Sequence, residues 1–483
     1  MRTGSRPGIL LLLAPLLLTS PLSRADDSER FGRFGRLALY RESPQPSQVV
    51  LFVSGDGGWN QGVVDMARAL ASLDALVVGI DIRTYLAALR KSDESCLYPA
   101  ADFEALSQYL QKKLDFPSYR IPVLVGYSSG ATLVYATLAQ APPNTFRGGI
   151  SLGFCPDLGV TKPFCKGSGL VSKPDAKGTG IRFDPIEEIA SPWIAFQGTI
   201  DRVCDAGVTQ RYVSRVKGAE LVLLPKVGHG FSVQKNWMPQ FREAFARVLK
   251  AGGAAASEPG ASPSGTAAPV GPSGAPGVAD LPLVEVPATA GHSDLLAFVA
   301  SGDGGWASLD REVATVLAGE GVPVVGLDTL QYYWQPRSPD ESGRALERIL
   351  RYYLEKWRKE RALLIGYSRG ADVLPFMASR LPEDLAKRVA LIALLGPGPS
   401  INFEFHYTDW ISSVPRGKTW PVQPEVEKLR GMKLLCVYGA DESDSICPRL
   451  PPGLARLDRR PGGHHFGGDY RAIADRILAE AGH

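Results

Sequence analysis

The chain lacks the residue patterns of metal sites and of nucleic-acid-binding surfaces. Its six cysteines form no C-x-x-C motif and no cluster with histidine, so we expect no metal site. The formal charge of +3 depends on Arg2, Arg6 and Arg24, because the first 25 residues contain no acid and the remaining chain is neutral. A neutral chain gives no indication of a basic surface for nucleic acid. Apart from residues 9–18, no segment is apolar for long enough to suggest a membrane span.

The first residues have the three parts of a secretory signal. Arg2 and Arg6 precede the apolar run 9–18, and Ser23 and Ala25 place small residues at the −3 and −1 positions of a cleavage site. We therefore expect a signal peptide over residues 1–25 and a mature protein in the periplasm. An uncleaved N-terminal anchor is the alternative, and a lipoprotein is not expected because no cysteine lies near the cleavage point.

The cysteines agree with an oxidising compartment. Four lie in the first half of the chain and two in the second, so each half can pair its own. Cys155 and Cys165 are close enough in sequence to form a disulfide, and so are Cys436 and Cys447. Spacing alone does not determine the connectivity.

Composition changes abruptly at residues 251–280, which consist mostly of Gly, Ala, Ser and Pro. Almost none of these side chains can contribute to a core, so the stretch is predicted to be a flexible linker. A chain of 483 residues is also longer than one ordinary domain. We therefore predict a first domain over residues 26–250 and a second over residues 281–483.

Both predicted domains contain the same series of motifs. The hexapeptide Ser-Gly-Asp-Gly-Gly-Trp follows an apolar run at 54–59 and recurs, identical, at 301–306. Most predicted strands are apolar without alternation, as in parallel strands covered on both faces. These strands are predicted at 37–40, 49–53, 75–80, 122–125, 149–153, 193–197 and 221–224, and then at 295–299, 322–326, 363–365, 389–395 and 433–438. The sequence predicts two tandem α/β-hydrolase-like domains, each a mostly parallel sheet with helices on both faces.

Two G-x-S-x-G motifs follow buried strands and precede helices, at residues 126–130 and 366–370. This pattern is typical of the nucleophile elbow, in which a tight turn exposes a serine hydroxyl at the carboxyl end of a strand. Small residues on either side of the serine avoid collision with the neighbouring strand and helix. We take Ser368 as the catalytic nucleophile and Ser128 as the nucleophile of a possible second site.

A carboxylate is expected between each serine and the final histidine, because α/β-hydrolases follow the order Ser, acid, His. When the sequences of the two halves are aligned at Cys204 and Cys447, Asp201 aligns with Asp444, since each lies three residues before its cysteine. We therefore favour Asp444 as the acid of the second domain and keep Asp441 as the alternate.

The histidine that would take the serine proton is expected in the last loop of each domain. His229 lies in Gly-His-Gly-Phe at 228–231, and His464 takes the same place in Gly-His-His-Phe at 463–466. His464 is favoured, with the neighbouring His465 as the alternate. The possible second site is therefore Ser128, Asp201 and His229.

Two backbone N–H groups are expected to stabilise the oxyanion of the tetrahedral intermediate. One belongs to the residue after the nucleophile, Arg369. The other is assigned to Gly304 in the second Ser-Gly-Asp-Gly-Gly-Trp loop, where a glycine lets the backbone approach the substrate.

Together, these hexapeptides, elbows, the Asp-Ser-Ile-Cys loop and the terminal Gly-Gly-His-His-Phe-Gly-Gly-Asp-Tyr stretch resemble the AcvB/VirJ bacterial virulence proteins. The resemblance covers nearly all of the chain outside the signal peptide and linker. It implies a periplasmic serine hydrolase that cleaves lysyl-phosphatidylglycerol without a cofactor, and a link to type IV secretion and virulence. The family's catalytic serine falls on Ser368 and its histidine within residues 463–466.

Residues 401–411 place aromatic side chains next to acids and suggest a cap over the second site. In this hypothesis Phe403, Phe405 and Trp410 face lipid, Arg369 meets the lipid phosphate, and acids meet the lysyl ammonium groups. The acids are Asp303, Glu404 and Asp409. An ordinary loop that packs on its own domain is the alternative.

Two other functions are compatible with the same motifs. One is a general periplasmic esterase, and the other is a non-catalytic partner of a secretion system that keeps a hydrolase scaffold. The sequence alone leaves open whether one or both halves are active.

Overall fold

The computed structural model describes residues 27–254, 277–289, 291, 293–406 and 418–483. The predicted signal peptide, most of the predicted linker, and Asp409 and Trp410 of the predicted cap lie outside the described residues.

The first domain alternates strands with helices along most of its length. Its strands are β1 (Asp27–Phe31), β2 (Gly35–Tyr40), β3 (Gln48–Val53), β4 (Ala75–Ile80), β5 (Val123–Tyr127), β6 (Gly148–Leu152), β7 (Asp157–Leu158), β8 (Ser172–Pro174), β9 (Ile181–Phe183), β10 (Glu188–Gly198) and β11 (Lys217–Leu224). Its helices are α1 (Gln61–Ala71), α2 (Ile82–Arg90), α3 (Pro99–Lys113), α4 (Ser129–Gln140), α5 (Ala206–Val213) and α6 (Met238–Ala254).

The second domain repeats this alternation. Its strands are β12 (Leu283–Val286), β13 (Leu295–Ala300), β14 (Val324–Leu327), β15 (Arg361–Tyr367), β16 (Val389–Leu395), β17 (Ser400–Ile401), β18 (Trp420–Pro421), β19 (Leu434–Gly439) and β20 (Arg456–Arg460). Its helices are α7 (Ser308–Gly319), α8 (Thr329–Tyr332), α9 (Pro339–Lys356), α10 (Arg369–Ala378), α11 (Glu383–Ala386), α12 (Gln423–Glu427) and α13 (Tyr470–Ala481).

The two main sheets have the same topology apart from one additional edge strand, β1, in the first domain. The strand order is β1-β2-β4-β3-β5-β6-β10-β11 in the first domain and β12-β14-β13-β15-β16-β19-β20 in the second. Within these two sheets, the antiparallel pairings are β1 with β2, β2 with β4, and β12 with β14, and they lie at one edge of each sheet. Every other pairing in the two sheets is parallel. Both are α/β-hydrolase sheets, as the sequence predicts. Because parallel strands share a direction, the loops after β5, β10 and β11 meet at one edge of the sheet.

Each main sheet is buried on both faces. Apolar side chains that alternate along β3 and β13 enter two separate cores, one on each side of the sheet. For example, Leu296 and Phe298 pack on one face of β13, while Leu295 and Ala297 pack on the other. This two-sided burial explains why the central strands are continuous apolar runs in the sequence.

Three strands of the main sheets, all at edges, are missed by the sequence analysis, and two of them, β1 and β20, are polar. These are β1, β12 and β20, and β20 reads Arg-Leu-Asp-Arg-Arg. An edge strand has one hydrogen-bonding side and part of its faces in water, so its sequence lacks the apolar signal of the central strands. None of the helices in the described part of the chain is long and apolar enough to cross a membrane.

The domains contact each other through a small apolar cluster with polar contacts at its sides. Trp334 is 1% exposed and packs against Tyr119 of the first domain, with ring centroids 5.3 Å apart. Its indole N–H donates to the carbonyl oxygen of Phe116 at 2.8 Å. The Gln331 side chain donates to the Tyr119 carbonyl oxygen at 3.1 Å. Helix α3 and the segment after it therefore lie against the second domain.

The disulfides correct one sequence-based pairing. Cys155 pairs with Cys204, and Cys165 pairs with Cys96, so the expected pairing of Cys155 with Cys165 is wrong. The loop after β6 and the loop after β10 lie side by side, which brings Cys155 to Cys204. The expected pairing of Cys436 with Cys447 is present in the structure.

Candidate active site

Both serines occupy strained turns between a strand and a helix. Ser128 has φ 57° and ψ −123°, and Ser368 has φ 52° and ψ −120°. A Cβ at Gly366 would lie 2.4 Å from the carbonyl oxygen of Gly370, and a Cβ at Gly370 would lie 2.0 Å from that of Ala300. Side chains there would collide with backbone, so the glycines of the motif are required by close approach.

In the first domain the expected serine, histidine and acid form one hydrogen-bonded chain. Ser128 Oγ lies 2.9 Å from Nε2 of His229, and Nδ1 of the same ring lies 2.9 Å from Oδ2 of Asp201. The Asp201 side chain is fully buried and that of His229 is 17% exposed. This is the geometry of a serine-hydrolase triad.

In the second domain the acid that contacts the histidine is Glu442. Nδ1 of His464 is hydrogen-bonded to Oε1 of Glu442, whose Oε2 accepts from the Gly439 N–H at 2.8 Å. The hydrogen bond that His464 donates to Glu442 raises the pKa of His464. Burial opposes ionisation of Glu442, but its bond to His464 keeps the pKa of the carboxyl below its usual value.

The assignment of Asp444 to this position, with Asp441 as its alternate, is therefore wrong in the structure. Both side chains are exposed, and Asp444 contributes only a carbonyl oxygen, which accepts from Arg449 at 2.8 Å. The alignment through cysteine fails because Cys447 bonds to Cys436 on β19, whereas Cys204 bonds to a different loop.

Once the ends of the strands are known from the structure, the spacing from the last glycine of each strand gives a signal for the acid. Strands β10 and β19 both end in glycine, at Gly198 and Gly439, and the acids Asp201 and Glu442 each lie three residues later. A Cβ at Gly198 would lie 2.1 Å from the carbonyl oxygen of Val227, and a Cβ at Gly439 would lie 2.2 Å from that of Gly463. Both carbonyl groups belong to the segment that leads into the histidine loop. The glycines thus mark the point where the acid loop and the histidine loop touch.

His464, rather than its neighbour His465, occupies the position of His229. A Cβ at Gly396 would lie 2.9 Å from Cε1 of His464, and a Cβ at the equivalent Gly153 would lie 3.2 Å from Cε1 of His229. His465 instead places Nδ1 3.0 Å from the Tyr367 hydroxyl. Burial and the charge of His464 lower the pKa of His465.

Ser368 makes fewer of the hydrogen bonds expected of a triad serine than Ser128 does. Its N–H donates to the Leu395 carbonyl oxygen at 2.9 Å, as that of Ser128 donates to Leu152 at 2.8 Å. Within the described residues, however, Ser368 Oγ has no hydrogen bond to His464. The structure thus brings the histidine and its carboxylate together in the second domain without the serine–histidine bond seen in the first.

The glycine-rich loops lie beside the nucleophiles. A Cβ at Gly302 would lie 3.6 Å from Cβ of Ser368, and one at Gly55 would lie 2.8 Å from Cβ of Ser128. A Cβ at Gly304 would instead lie 3.7 Å from Oε1 of Glu104, which belongs to the first domain. The roles of the Gly304 and Arg369 N–H groups as oxyanion donors stay predictions.

The described part of the predicted cap packs into the protein. Phe403 is 3% exposed and Phe405 is 1% exposed, so neither faces lipid in this structure. Glu404 forms a salt bridge of 3.2 Å with Lys112 of the first domain. The Arg369 side chain is 8% exposed and donates to the Asn402 carbonyl oxygen at 2.9 Å, which does not support contact with a lipid phosphate. The expectation fails because Phe403 packs in the core of its own domain and Phe405 packs in the apolar cluster between the domains.

Three acids near the second site carry raised pKa values. Burial, with the charge of Asp303 added, raises the pKa of Glu104 to about 8 and that of Asp372 to about 8. Burial also raises the pKa of Asp328 to about 6. The charge of Asp303 contributes as well to the pKa values of both histidines, so these groups share one electrostatic environment.

Around Ser128, the positions equivalent to Asp372 and Asp328 carry less unbalanced negative charge. The residue four positions after the nucleophile is Thr132 there, where the second domain has Asp372. Asp81, which takes the place of Asp328, forms a salt bridge of 2.7 Å with Arg83. The two sites share a scaffold and differ in charge.

A model of the family described as bacterial virulence protein (VirJ) matches residues 47–149 and 294–482, which is more than half of the chain. The chain belongs to the VirJ family. The match includes the Ser128 elbow, and its second segment spans Ser368, Glu442 and His464. Among curated proteins, no sequence is significantly similar to this one.

Several solved structures are similar to part of this VirJ-family chain. Est1E from Butyrivibrio proteoclasticus is 13% identical and matches 44% of this chain and 95% of its own, with a TM-score of 0.30. XC6422 from Xanthomonas campestris, described as an a/b serine hydrolase without lid, is 19% identical over 49% and 97%, with a TM-score of 0.30. An alpha-beta serine hydrolase homologue from Coxiella burnetii is 17% identical over 47% and 98%, also with a TM-score of 0.30.

Proposed function

We propose that this VirJ-family protein is a periplasmic serine hydrolase that cleaves the aminoacyl ester of lysyl-phosphatidylglycerol at Ser368, releasing lysine and phosphatidylglycerol. The observation that carries the proposal is the contact between His464 and Glu442 at the same sheet edge as the Ser368 elbow. Membership of a virulence-protein family supports a role in virulence. An association with type IV secretion components belongs to the same proposal.

The proposed chemistry needs an imidazole that can accept the serine proton and hold it. Glu442 raises the pKa of His464, which stabilises the imidazolium as the bond to the substrate forms. Ser368 Oγ attacks the lysyl carbonyl carbon, its proton passes to His464, and the lipid hydroxyl leaves with that proton. Water then attacks the lysyl-enzyme, and its proton passes through His464 to restore the serine.

The acids around the second site support a cationic substrate. Burial disfavours the ionised forms of Asp372 and Glu104. The charge of Asp303 also contributes to the raised pKa values of Asp372, Glu104 and His464. A lysyl group carries two ammonium groups, and an ammonium beside a buried carboxyl favours its ionised form. Binding of such a group would therefore offset the cost of burying these acids.

Release of lysine from lysyl-phosphatidylglycerol by the wild-type chain and by Ser368→Ala and Ser128→Ala variants tests the proposal. We expect Ser368→Ala to abolish release and Ser128→Ala to retain it. Release by Ser368→Ala at the wild-type rate would overturn the proposal. Loss in Ser128→Ala alone would move the activity to the first domain.

A further inference from the structure

The proposed function leaves an assembled triad in the first domain without a role. Ser128, His229 and Asp201 are joined by two hydrogen bonds of 2.9 Å, whereas the second domain shows only the histidine–acid bond among its described residues. A serine that has lost its activity has no physical need for an oriented imidazole and a buried carboxylate. The complete arrangement therefore calls for its own explanation.

The carboxylate of this triad is held in place by several donors. Oδ1 of Asp201 accepts from the N–H groups of Val203 at 2.8 Å and Cys204 at 2.9 Å, and Oδ2 accepts from the Gln197 side chain at 3.0 Å. These donors fix the direction of the carboxylate. The remaining contact of Oδ2 is with Nδ1 of His229, which leaves Nε2 to accept the proton of Ser128.

The histidine loop is fixed as well. The hydroxyl of Tyr127, the residue before the nucleophile, donates to the carbonyl oxygen of His229 at 3.0 Å. The N–H of Ser129 lies at the start of the twelve-residue helix α4, in the position of an oxyanion donor. Strain at Ser128 and a close Gly55 complete the site.

The two loops that carry Asp201 and His229 expose large apolar side chains. Ile200 is 61% exposed and Val203 is 68% exposed, and they lie on either side of Asp201 in the acid loop. Val233, four residues after His229, is 46% exposed. Large apolar side chains this exposed are rare in the described residues, and three of the six lie on the two loops that carry this triad. The acid loop of the second domain carries Asp441, Glu442, Ser443 and Asp444 instead.

We propose that Ser128 is the nucleophile of a second, independent hydrolase site, and that this site takes uncharged carboxylic esters whose acyl part is a hydrocarbon chain. The triad supplies the chemistry, and Ile200, Val203 and Val233 supply an apolar rim for the chain. The two domains then divide their substrates by charge, with a cationic acyl group at Ser368 and an apolar one at Ser128.

The proposed reaction needs only the triad, the ester and one water molecule. Ser128 Oγ bonds to the acyl carbon, its proton passes to Nε2 of His229, and the bond to the alcohol oxygen breaks as the alcohol takes that proton. Water then adds to the acyl-enzyme and gives a proton to His229. The bond to Ser128 breaks, the serine recovers the proton, and the carboxylic acid leaves.

The first test uses the full chain with Ser368→Ala, which removes the other nucleophile. A fluorophosphonate probe should label Ser128, and the label should appear on the tryptic peptide 121–147, which is distinct from peptide 362–369. The same protein should hydrolyse p-nitrophenyl hexanoate, and Ser128→Ala or His229→Gln in that background should lower the rate at least 100-fold. Ser214→Ala, at an exposed serine on the same domain, is the control for the substitution itself.

The second test concerns the rim. Changing Ile200 and Val203 to serine should raise KM for the hexanoate ester about tenfold and leave KM for the acetate ester nearly unchanged. Leu457→Ser, at a 47% exposed position in the second domain, should change neither.

Two results would overturn the proposal. One is the absence of both label and turnover in a folded Ser368→Ala protein. The other is ester turnover that persists after Ser128 and His229 have each been replaced. Because lysine release by Ser128→Ala is measured separately, failure of this proposal is distinguishable from failure of the proposed function.

Discussion

Glu442 hydrogen-bonds to Nδ1 of His464, in the same way that Asp201 hydrogen-bonds to Nδ1 of His229. Each acid lies three residues beyond the glycine that ends its strand. The longer glutamate side chain thus fills a position that aspartate fills in the other domain. Position in the fold, and not identity of the acid, is what the two sites have in common.

Replacing Glu442 with glutamine should lower lysine release by about 10³–10⁴-fold, because the amide neither stabilises the imidazolium nor fixes its tautomer. The measurement is kcat for lysine release in a Ser128→Ala background. Asp444→Asn is the matched control and should stay within about twofold of the parent. If Asp444→Asn is the more damaging change, the assignment of the acid from the structure is wrong.

The pH profile of the same activity should show the raised pKa of His464. The base must be neutral to take the serine proton, so kcat/KM falls as pH decreases through this pKa. Glu442 raises it above the ordinary value of about 6.5, and the acidic limb is therefore expected above pH 6.5. A limb centred below 6.5 in the Ser128→Ala protein would contradict the contact.

Asp303→Asn should reduce the preference for lysyl-lipid over alanyl-lipid by about tenfold, the equivalent of about 1.4 kcal/mol. The reason is that a carboxylate next to Ser368 favours a second ammonium group on the substrate. The ratio of kcat/KM values for the two lipids is the quantity to measure. Asp56→Asn, at the same place in the first hexapeptide, should leave that ratio unchanged.

Glu104→Gln tests whether the first domain contributes to this preference. Glu104 lies near Gly304 across the domain boundary, so the change should shift the lysyl-to-alanyl ratio in the same direction as Asp303→Asn. An unchanged ratio would show that the buried acid does not contribute to substrate preference.

Stability should fall with rising pH because of Asp372, whose folded pKa is about 8. The ordinary value for an aspartate is about 3.9, so the folded state holds a proton that the unfolded chain has lost between pH 4 and 8. The stability from this group is complete below pH 4 and is lost as pH rises towards 8. Asp372→Asn should therefore flatten the fall of Tm between pH 5 and 8, while Asp444→Asn should not.

Trp334→Ala should weaken the contact between the domains. Truncation of a buried tryptophan costs about 3–5 kcal/mol, and here it also removes the hydrogen bond to Phe116. We expect the calorimetric unfolding to separate into two transitions. Trp357→Ala, at a partly buried tryptophan inside the second domain, should lower only the transition of that domain. A single unchanged transition in Trp334→Ala would mean that the interface contributes little.

The sequence determined the internal repeat, the fold class and the positions of both serine elbows, because each depends on local constraints. Central strands must be apolar on both faces, and a serine at a strained elbow needs glycine on either side, as the collisions at Gly366 and Gly370 show. His229 and His464 also stand out because each lies in the last loop of a repeated unit.

Tertiary structure alone decided which acid meets which histidine, which cysteines pair and where the cap residues lie. Glu442, Asp441 and Asp444 are all within four residues, and only the direction of the loop after β19 selects among them. Phe405 and Glu404 carry the pattern of a lipid-facing cap, yet packing of the first domain covers them. These features depend on contacts between segments that are distant in sequence, and no local pattern records such contacts.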